Sequence, residues 1–149
     1  MVEKLLETAT LDSDSLDLNK EETNIVDLVE SIVEKHQMQT DGKSISFMTS
    51  SEAILVNIDI FHFENVINNL IDNAIKYGGD IINIEISNSE NEVAISIADN
   101  GKSITKAYKD KLFEKFYRLP KGNTHDVKGF GIGLYYAKKI TEKHGGTIQ

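Results

Sequence analysis

Residues 59–101 read DIFHFENVINNLIDNAIKYGGDIINIEISNSENEVAISIADNG, and two hydrophobic periods follow one another within that stretch. Phe63, Val66, Ile67, Leu70, Ile71 and Ala74 recur at three- and four-residue spacing, so they line one stripe of an amphipathic helix. Asp59 or the residue before it opens that helix and Gly78-Gly79 ends it. The period then shortens to two. Ile82, Ile84 and Ile86 alternate with polar neighbours, Asn88 to Asn91 is a turn signal, and Val93, Ile95 and Ile97 alternate again, which predicts an antiparallel hairpin. Asp99-Asn100-Gly101 closes the stretch with a second turn signal.

The flanking segments extend the same pattern. Upstream, Ile25, Leu28, Val29, Ile32 and Val33 share a helical face that Thr23 or Asn24 can cap and that Thr40-Asp41-Gly42 stops. Ile45 with Phe47, and the short apolar run from Ala53 to Val56, predict two strands between the helices. Downstream, 109–116 is consistent with a short helix and 117–129 is too polar and irregular to form an element. Residues 134–144 predict a further helix ending at Gly145-Gly146, and Thr147-Ile148-Gln149 is expected to begin a strand. The first 18 residues carry only weak helical spacing, in Leu5, Leu6 and Ala9, followed by an acidic, serine-containing run.

Composition narrows the chemistry. With 149 residues the chain can bury one core, and the absence of cysteine removes disulfides, thiolate catalysis and cysteine-type zinc sites. No run approaches the ~18 apolar residues of a bilayer span, and no basic-then-apolar leader follows Met1, so the sequence gives no sign of insertion or secretion. The net charge of −8 disfavours a general nucleic-acid binder, which needs a basic face. That charge is uneven. Residues 102–128 hold eight basic side chains, including the only arginine, Arg118, against the three acids Asp110, Glu114 and Asp126. This local +5 is either a solvated lysine-rich loop or a place where anions meet cations.

Three features carry candidate chemistry. Asn69 and Asn73 sit one helical turn apart, and Lys76 and Tyr77 continue their face. Neutral amide oxygens suit a hard cation that keeps waters and phosphate oxygens, as Mg²⁺ does, and Lys76 can meet phosphate as a point charge. Taken alone, such a pair is more often a solvated or backbone-capping one. Asp99, at the end of an alternating strand and two residues before Gly101, can accept from an exocyclic amine and so favour adenine over guanine, although Asp-Asn-Gly by itself is only a turn. Gly129-Phe-Gly-Ile-Gly-Leu134 places alternating glycines before a helix, where backbone N–H groups and the helix dipole favour phosphate. Neither a preceding strand nor a Gly-Lys-Ser/Thr ending fits the dinucleotide or P-loop patterns.

Asn69-Leu-Ile-Asp-Asn-Ala-Ile-Lys-Tyr77, Asp99-Asn-Gly101, Leu112-Phe-Glu-Lys-Phe-Tyr-Arg118, Gly129-Phe-Gly-Ile-Gly-Leu134 and His144-Gly-Gly146 resemble, in order and spacing, the asparagine, first glycine, phenylalanine, second glycine and terminal glycine boxes of sensor histidine kinases. The resemblance covers nearly the whole chain. It implies an α+β fold of the Bergerat ATP-binding type, a two-layer sandwich with helices packed on one face of a mixed sheet. It also implies a two-component signalling protein that takes ATP and Mg²⁺ as cofactors. Carried onto this sequence, Asn73 ligates the metal, with Asn69 close to metal and phosphates. Lys76 contacts phosphate, Tyr77 the adenine surroundings, and Asp99 the adenine amine, with Gly101 allowing close approach. Gly129, Gly131, Gly133 and Leu134 belong to a lid over the triphosphate. Arg118 braces the γ-phosphate with its two-pronged guanidinium, and Phe113 and Phe116 anchor the lid base.

The resemblance also sets the reaction and the partners. Related ATPases of this fold carry a glutamate base four residues before the metal-binding asparagine. That place is Asn69 here, and an amide cannot take a proton at neutral pH, so transfer to histidine rather than hydrolysis is expected. The acceptor histidine lies in a box with proline in this family, but the single proline is Pro120. His36, His62, His125 and His144 therefore do not look like acceptors, and the acceptor is expected on a separate dimerisation and phosphoacceptor domain, with a response regulator downstream. Residues 1–18 are expected to be the end of that helical domain and its linker, and 19–149 a catalytic domain cut short at its C-terminal strand. The chain is expected to be monomeric and cytoplasmic, from a parent that the family would allow to be anchored in the inner membrane. Ser103 stands where the family has a second glycine, which implies a stiffer hinge or weaker nucleotide binding. A nucleotide-switched interaction module without transfer activity and a serine/threonine kinase of the anti-sigma type are the alternatives.

Overall fold

The computed structural model describes residues 17–101 and 133–149. The chain divides into two compact units, Asn19–Lys102 and a second of Met1–Leu18 with Ser103–Gln149. The expected helix over 109–116, the lid glycines Gly129 and Gly131, and Arg118, Phe113, Phe116, Ser103 and His125 lie outside the described residues.

In the first unit the order is β1 (Glu21–Asn24), α1 (Ile25–Gln39), β2 (Ser44–Thr49), β3 (Leu55–Ile58), α2 (Ile60–Tyr77), β4 (Ile81–Asn88) and β5 (Val93–Asp99). β2 pairs parallel with β4, β4 pairs antiparallel with β5, and β1 pairs antiparallel with β3 in a separate two-stranded sheet. The three-stranded sheet is therefore mixed, as expected. Its pleat separates two faces. Ile45, Ile82, Ile84 and Ile86 are buried, whereas Ser44, Ser46, Met48, Asn83, Glu85 and Ser96 are exposed. Val29, Ile32 and Val33 of α1 and Ile67 and Ile71 of α2 join the buried strand residues in one core, with Phe47, Ile95 and Ile97 packed against it. Burying such aliphatic side chains contributes about 1.5–3 kcal/mol each, and only the face that receives α1 and α2 holds them.

Side-chain caps fix where the helices begin. Asn24 accepts from the Val26 N–H at 3.2 Å and also from the Ile54 N–H at 3.1 Å, so one amide starts α1 and ties it to the chain entering β3. Asp59, 6% exposed, accepts from His62 N–H at 3.1 Å at the start of α2 and from Asn19 N–H at 2.8 Å. Both caps are among the alternatives expected. Between the helices, buried His36 of α1 places Nε2 2.9 Å from Asn68 Oδ1 and Nδ1 3.8 Å from Asp72 Oδ1, a part-buried polar contact along one border of the α2 stripe.

Three expectations are corrected. Residues 21–24 form a strand that the sequence does not announce, because Glu-Glu-Thr-Asn lacks alternating apolar residues and is ordered by its partner β3. The strand expected over 53–56 lies two residues later, at Leu55–Ile58, since Ile54 is used to close against Asn24 and Ile25. Thr147–Gln149 is not a strand: among the described residues no ladder partner reaches it.

In the second unit α3 (Gly133–Lys143) buries Tyr136, Ala137 and Ile140. It ends as expected at the paired glycines: Gly145 takes φ +83°, its N–H reaches Glu142 C=O, and Gly146 N–H reaches Thr141 C=O at 2.9 Å. These two bonds satisfy the last carbonyls, and the left-handed residue between them favours glycine. Among the described residues no helix is long and apolar enough to cross a membrane.

Candidate nucleotide-binding site

α2 sets the geometry because both of its ends are held. Its start is capped by Asp59, and its end at Gly78, whose N–H donates to Ala74 C=O at 2.8 Å. With Val66, Ile67 and Ile71 buried, the helix cannot roll, so Asn69, Asn73 and Tyr77, spaced i, i+4, i+8, are fixed along one border of it. Asn69, Asn73 and Tyr77 are half-buried and Lys76 is exposed. Neither amide of Asn69 and Asn73 makes a hydrogen bond among the described residues, and Lys76 has no ion pair there.

The other end of the site is tied by hydrogen bonds of its own. Asp99 ends β5, where it lies opposite Ile82 of β4. Its Oδ1 accepts from Gly79 N–H at 3.1 Å and from Gly101 N–H at 2.6 Å. Its Oδ2 accepts no bond among the described residues and is left to an outside donor. Next to it, Asn100 N–H donates to Ile81 C=O at 3.1 Å while Asn100 Oδ1 accepts from Ile81 N–H at 3.0 Å, which closes the strand end against β4. A Cβ on Gly78 would lie 2.6 Å from Asp99 Cγ, and one on Gly101 would lie 2.7 Å from Asp99 Oδ1 and from Gly79 N. The carboxylate thus sits on bare backbone, and larger residues at Gly78 or Gly101 would displace it. The sequence reads Gly78-Gly79 only as a helix stop, yet the second glycine supplies a donor to Asp99 and the first its packing surface. Two consecutive glycines, where one suffices to end a helix, are the signal for that role.

The structure brings Asn69, Asn73, Lys76, Tyr77, Asp99 and Gly101 into one unit, around the last turns of α2 and the end of β5. Gly133 opens α3 and Leu134 follows it in the other unit.

This donor set fits a nucleotide with a divalent cation. A carboxylate oxygen with its partner atom saturated by two N–H groups is an oriented acceptor for an amine. The neutral amides on α2 suit a cation whose charge is balanced by phosphate. Among the described residues no three His, Asp or Glu side chains converge as a self-sufficient metal cage, so a cation here would depend on the ligand's own oxygens.

The sequence matches, over residues 58–149, the family described as histidine kinase-, DNA gyrase B- and HSP90-like ATPase. The chain belongs to that family. Within the ATPase family its likeness is to sensor kinases. It is 37% identical to the sensor protein RprX of Bacteroides fragilis over 99% of this chain, and it spans 30% of that relative's length. Among solved structures, the histidine kinase AdeS of Acinetobacter baumannii matches 99% of this chain and 68% of its own, with a TM-score of 0.78 and 26% identity. Full-length ShkA in complex with AMPPNP matches 97% of this chain and 30% of its own, with a TM-score of 0.83. At 21% identity the latter shows the fold alone. The mixed sheet with helices on one face is the fold these kinases share.

Proposed function

We propose that the chain binds Mg·ATP and acts as the catalytic part of a protein histidine kinase in two-component signalling. The observation that carries the reading is the pairing, within one unit, of an oriented acceptor at Asp99 with two uncommitted amides at Asn69 and Asn73. Asp99 Oδ2 accepts from the adenine 6-amine, beside Tyr77, with Gly101 allowing the base close. Asn73 holds the cation and Asn69 lies beside it and the phosphates, while Lys76 adds a positive charge. Bound there, Mg²⁺ would supply charge neutralisation to the phosphates. The resemblance of their motifs assigns Arg118, Gly129, Gly131, Gly133 and Leu134 to the triphosphate as well.

In the transfer, a histidine ring nitrogen forms a bond to the γ-phosphorus as the bond from that phosphorus to the β–γ bridging oxygen breaks, and ADP leaves with the electron pair. Such a step needs alignment and charge neutralisation more than a strong base. Asn69 cannot act as a base toward water, and general-base help is worth roughly 10²–10⁴-fold, so hydrolysis is slow beside transfer. The acceptor histidine belongs to a dimerisation domain of the same kinase, to which residues 1–18 lead, and 19–149 form the catalytic domain. A response regulator takes the phosphoryl group onward. ATP as substrate places the domain in the cytoplasm.

Incubation of the chain with γ-labelled ATP, Mg²⁺ and a separately produced dimerisation and phosphoacceptor domain of a related sensor kinase tests this. Acid-labile label on that domain is the expected result. Acid-stable label would indicate a serine kinase, and nucleotide binding without any transfer a switch module.

A further inference from the structure

We propose that Lys43 is a positioning residue for purine choice: from the entry to β2 it holds the Gly78–Gly79 turn, and through that turn the carboxylate of Asp99. The inference rests on the reading of Asp99 as the adenine acceptor. Lys43 Nζ donates to Gly79 C=O at 2.9 Å and lies 3.4 Å from Gly78 C=O. The Gly78 carbonyl belongs to the same peptide unit as the Gly79 N–H, and that N–H is the one bonded to Asp99 Oδ1. A cation at one end of this peptide polarises it and strengthens the bond donated from the other. The chain of contacts therefore runs from ammonium to peptide to carboxylate without a gap.

Three further facts point to the turn as the purpose of this lysine. Its side chain is only 21% exposed, although a lysine beside a turn is ordinarily free in solvent. Its carboxylate neighbour, Asp80 at 3.8 Å, is 83% exposed, so that ion pair contributes little and does not explain the burial. The held segment is a Gly-Gly pair, the dipeptide with the most backbone freedom to lose. Ser44 N–H also donates to Asp80 C=O at 2.7 Å, so the entry to β2 grips the turn with one backbone group and one side chain. The side chain is the removable half. Without it Gly79 N–H samples orientations in which Asp99 loses a donor and its free oxygen is no longer aimed.

The test compares ATP with inosine triphosphate, which carries a 6-oxo group in place of the amine, by calorimetry with Mg²⁺ on the whole chain. Lys43→Met keeps the stem and removes the donor. The expected result is a loss of ATP affinity of about five- to tenfold with inosine triphosphate affinity unchanged, so that preference for the amine falls. Lys43→Arg, which can donate to both carbonyls, restores most of it, and Asp80→Asn leaves both affinities as they were. The Gly79 amide resonance and its hydrogen exchange shift in Lys43→Met, and in Lys43→Gln should the first variant not fold. Equal losses for both nucleotides, or no loss in either, would overturn the proposal. Asp99→Asn, run in parallel, separates the two levels. If it abolishes the amine preference while Lys43→Met does not, Lys43 alone is wrongly assigned; if it leaves the preference intact, the reading of Asp99 fails and the role of Lys43 with it.

Discussion

The two ends of the candidate site are built on opposite plans. At the proposed base end, Asp99 is bonded to Gly79 and Gly101 and Asn100 to Ile81, and a single carboxylate oxygen of Asp99 remains for a ligand. At the proposed phosphate end, Asn69, Asn73 and Lys76 stand on a rigid helix with no bonds of their own among the described residues. Recognition of a flat, neutral base depends on an acceptor whose direction is set beforehand, because a weak hydrogen bond loses its value if the protein must reorganise to form it. A polyphosphate with its cation brings charge enough to orient flexible side chains on arrival. The difference implies that changes at the base end disturb stability and affinity together, whereas changes at the phosphate end disturb affinity alone.

The largest expected effect separates the two plans directly. Asn73→Ala should weaken Mg·ATP binding by more than about 100-fold, as loss of a metal ligand costs at least what loss of its supporting shell does. Its melting temperature should be unchanged, since no bond in the fold is removed. Chelating Mg²⁺ from the unaltered protein should reproduce most of that loss in the same titration, and a strong binder without metal would refute the assignment. Next, Asp99→Asn should cost ATP about 1–3 kcal/mol, roughly 5- to 150-fold, by offering a donor where the amine also donates, with inosine triphosphate spared. Gly79→Ala should then blur the comparison from the base side. Its Cβ would meet Asn100 Oδ1 and lie 2.7 Å from Gly101 N, an overpacking of about 1–3 kcal/mol visible both as a lower melting temperature and as weaker adenine binding. Smallest, Asn24→Ala removes the cap of α1, far from either end, and should lower stability by about 1 kcal/mol in urea titration with nucleotide affinity unaltered.

Much of the architecture is legible in the sequence where a period is long enough to be unambiguous. The stripe from Phe63 to Ala74 spans several turns, and the alternation through Ile86 and Val93 to Ile97 is interrupted by a clear turn, so α2 and the β4–β5 hairpin are found at nearly the observed bounds. β1 is hidden because a four-residue edge strand needs no apolar face once β3 supplies its hydrogen bonds. The candidate site residues Asn69, Asn73 and Asp99 are legible through their spacing and order. Their support is not. Lys43 belongs to no motif, and its partners lie 35 and 36 residues away in sequence, so only the pairing of β2 with β4 brings them together. Asn100 likewise looks like a turn residue until Ile81 is seen beside it.

The continuity of α2 has one more consequence. A straight helix advances about 1.5 Å per residue, so Asn73 lies about 7.5 Å and Asn69 about 13.5 Å along the axis from Gly78, where the base end begins. α2 therefore serves as a ruler with two marks on one edge, graduated in residues. Inserting a single residue before Gly78 would swing both marks round by about 100°, while inserting four would keep them on the same edge and lengthen the scale by about 6 Å. On the proposed reading, the length of the ligand the domain accepts is in this sense counted in the backbone, between a glycine turn and an asparagine.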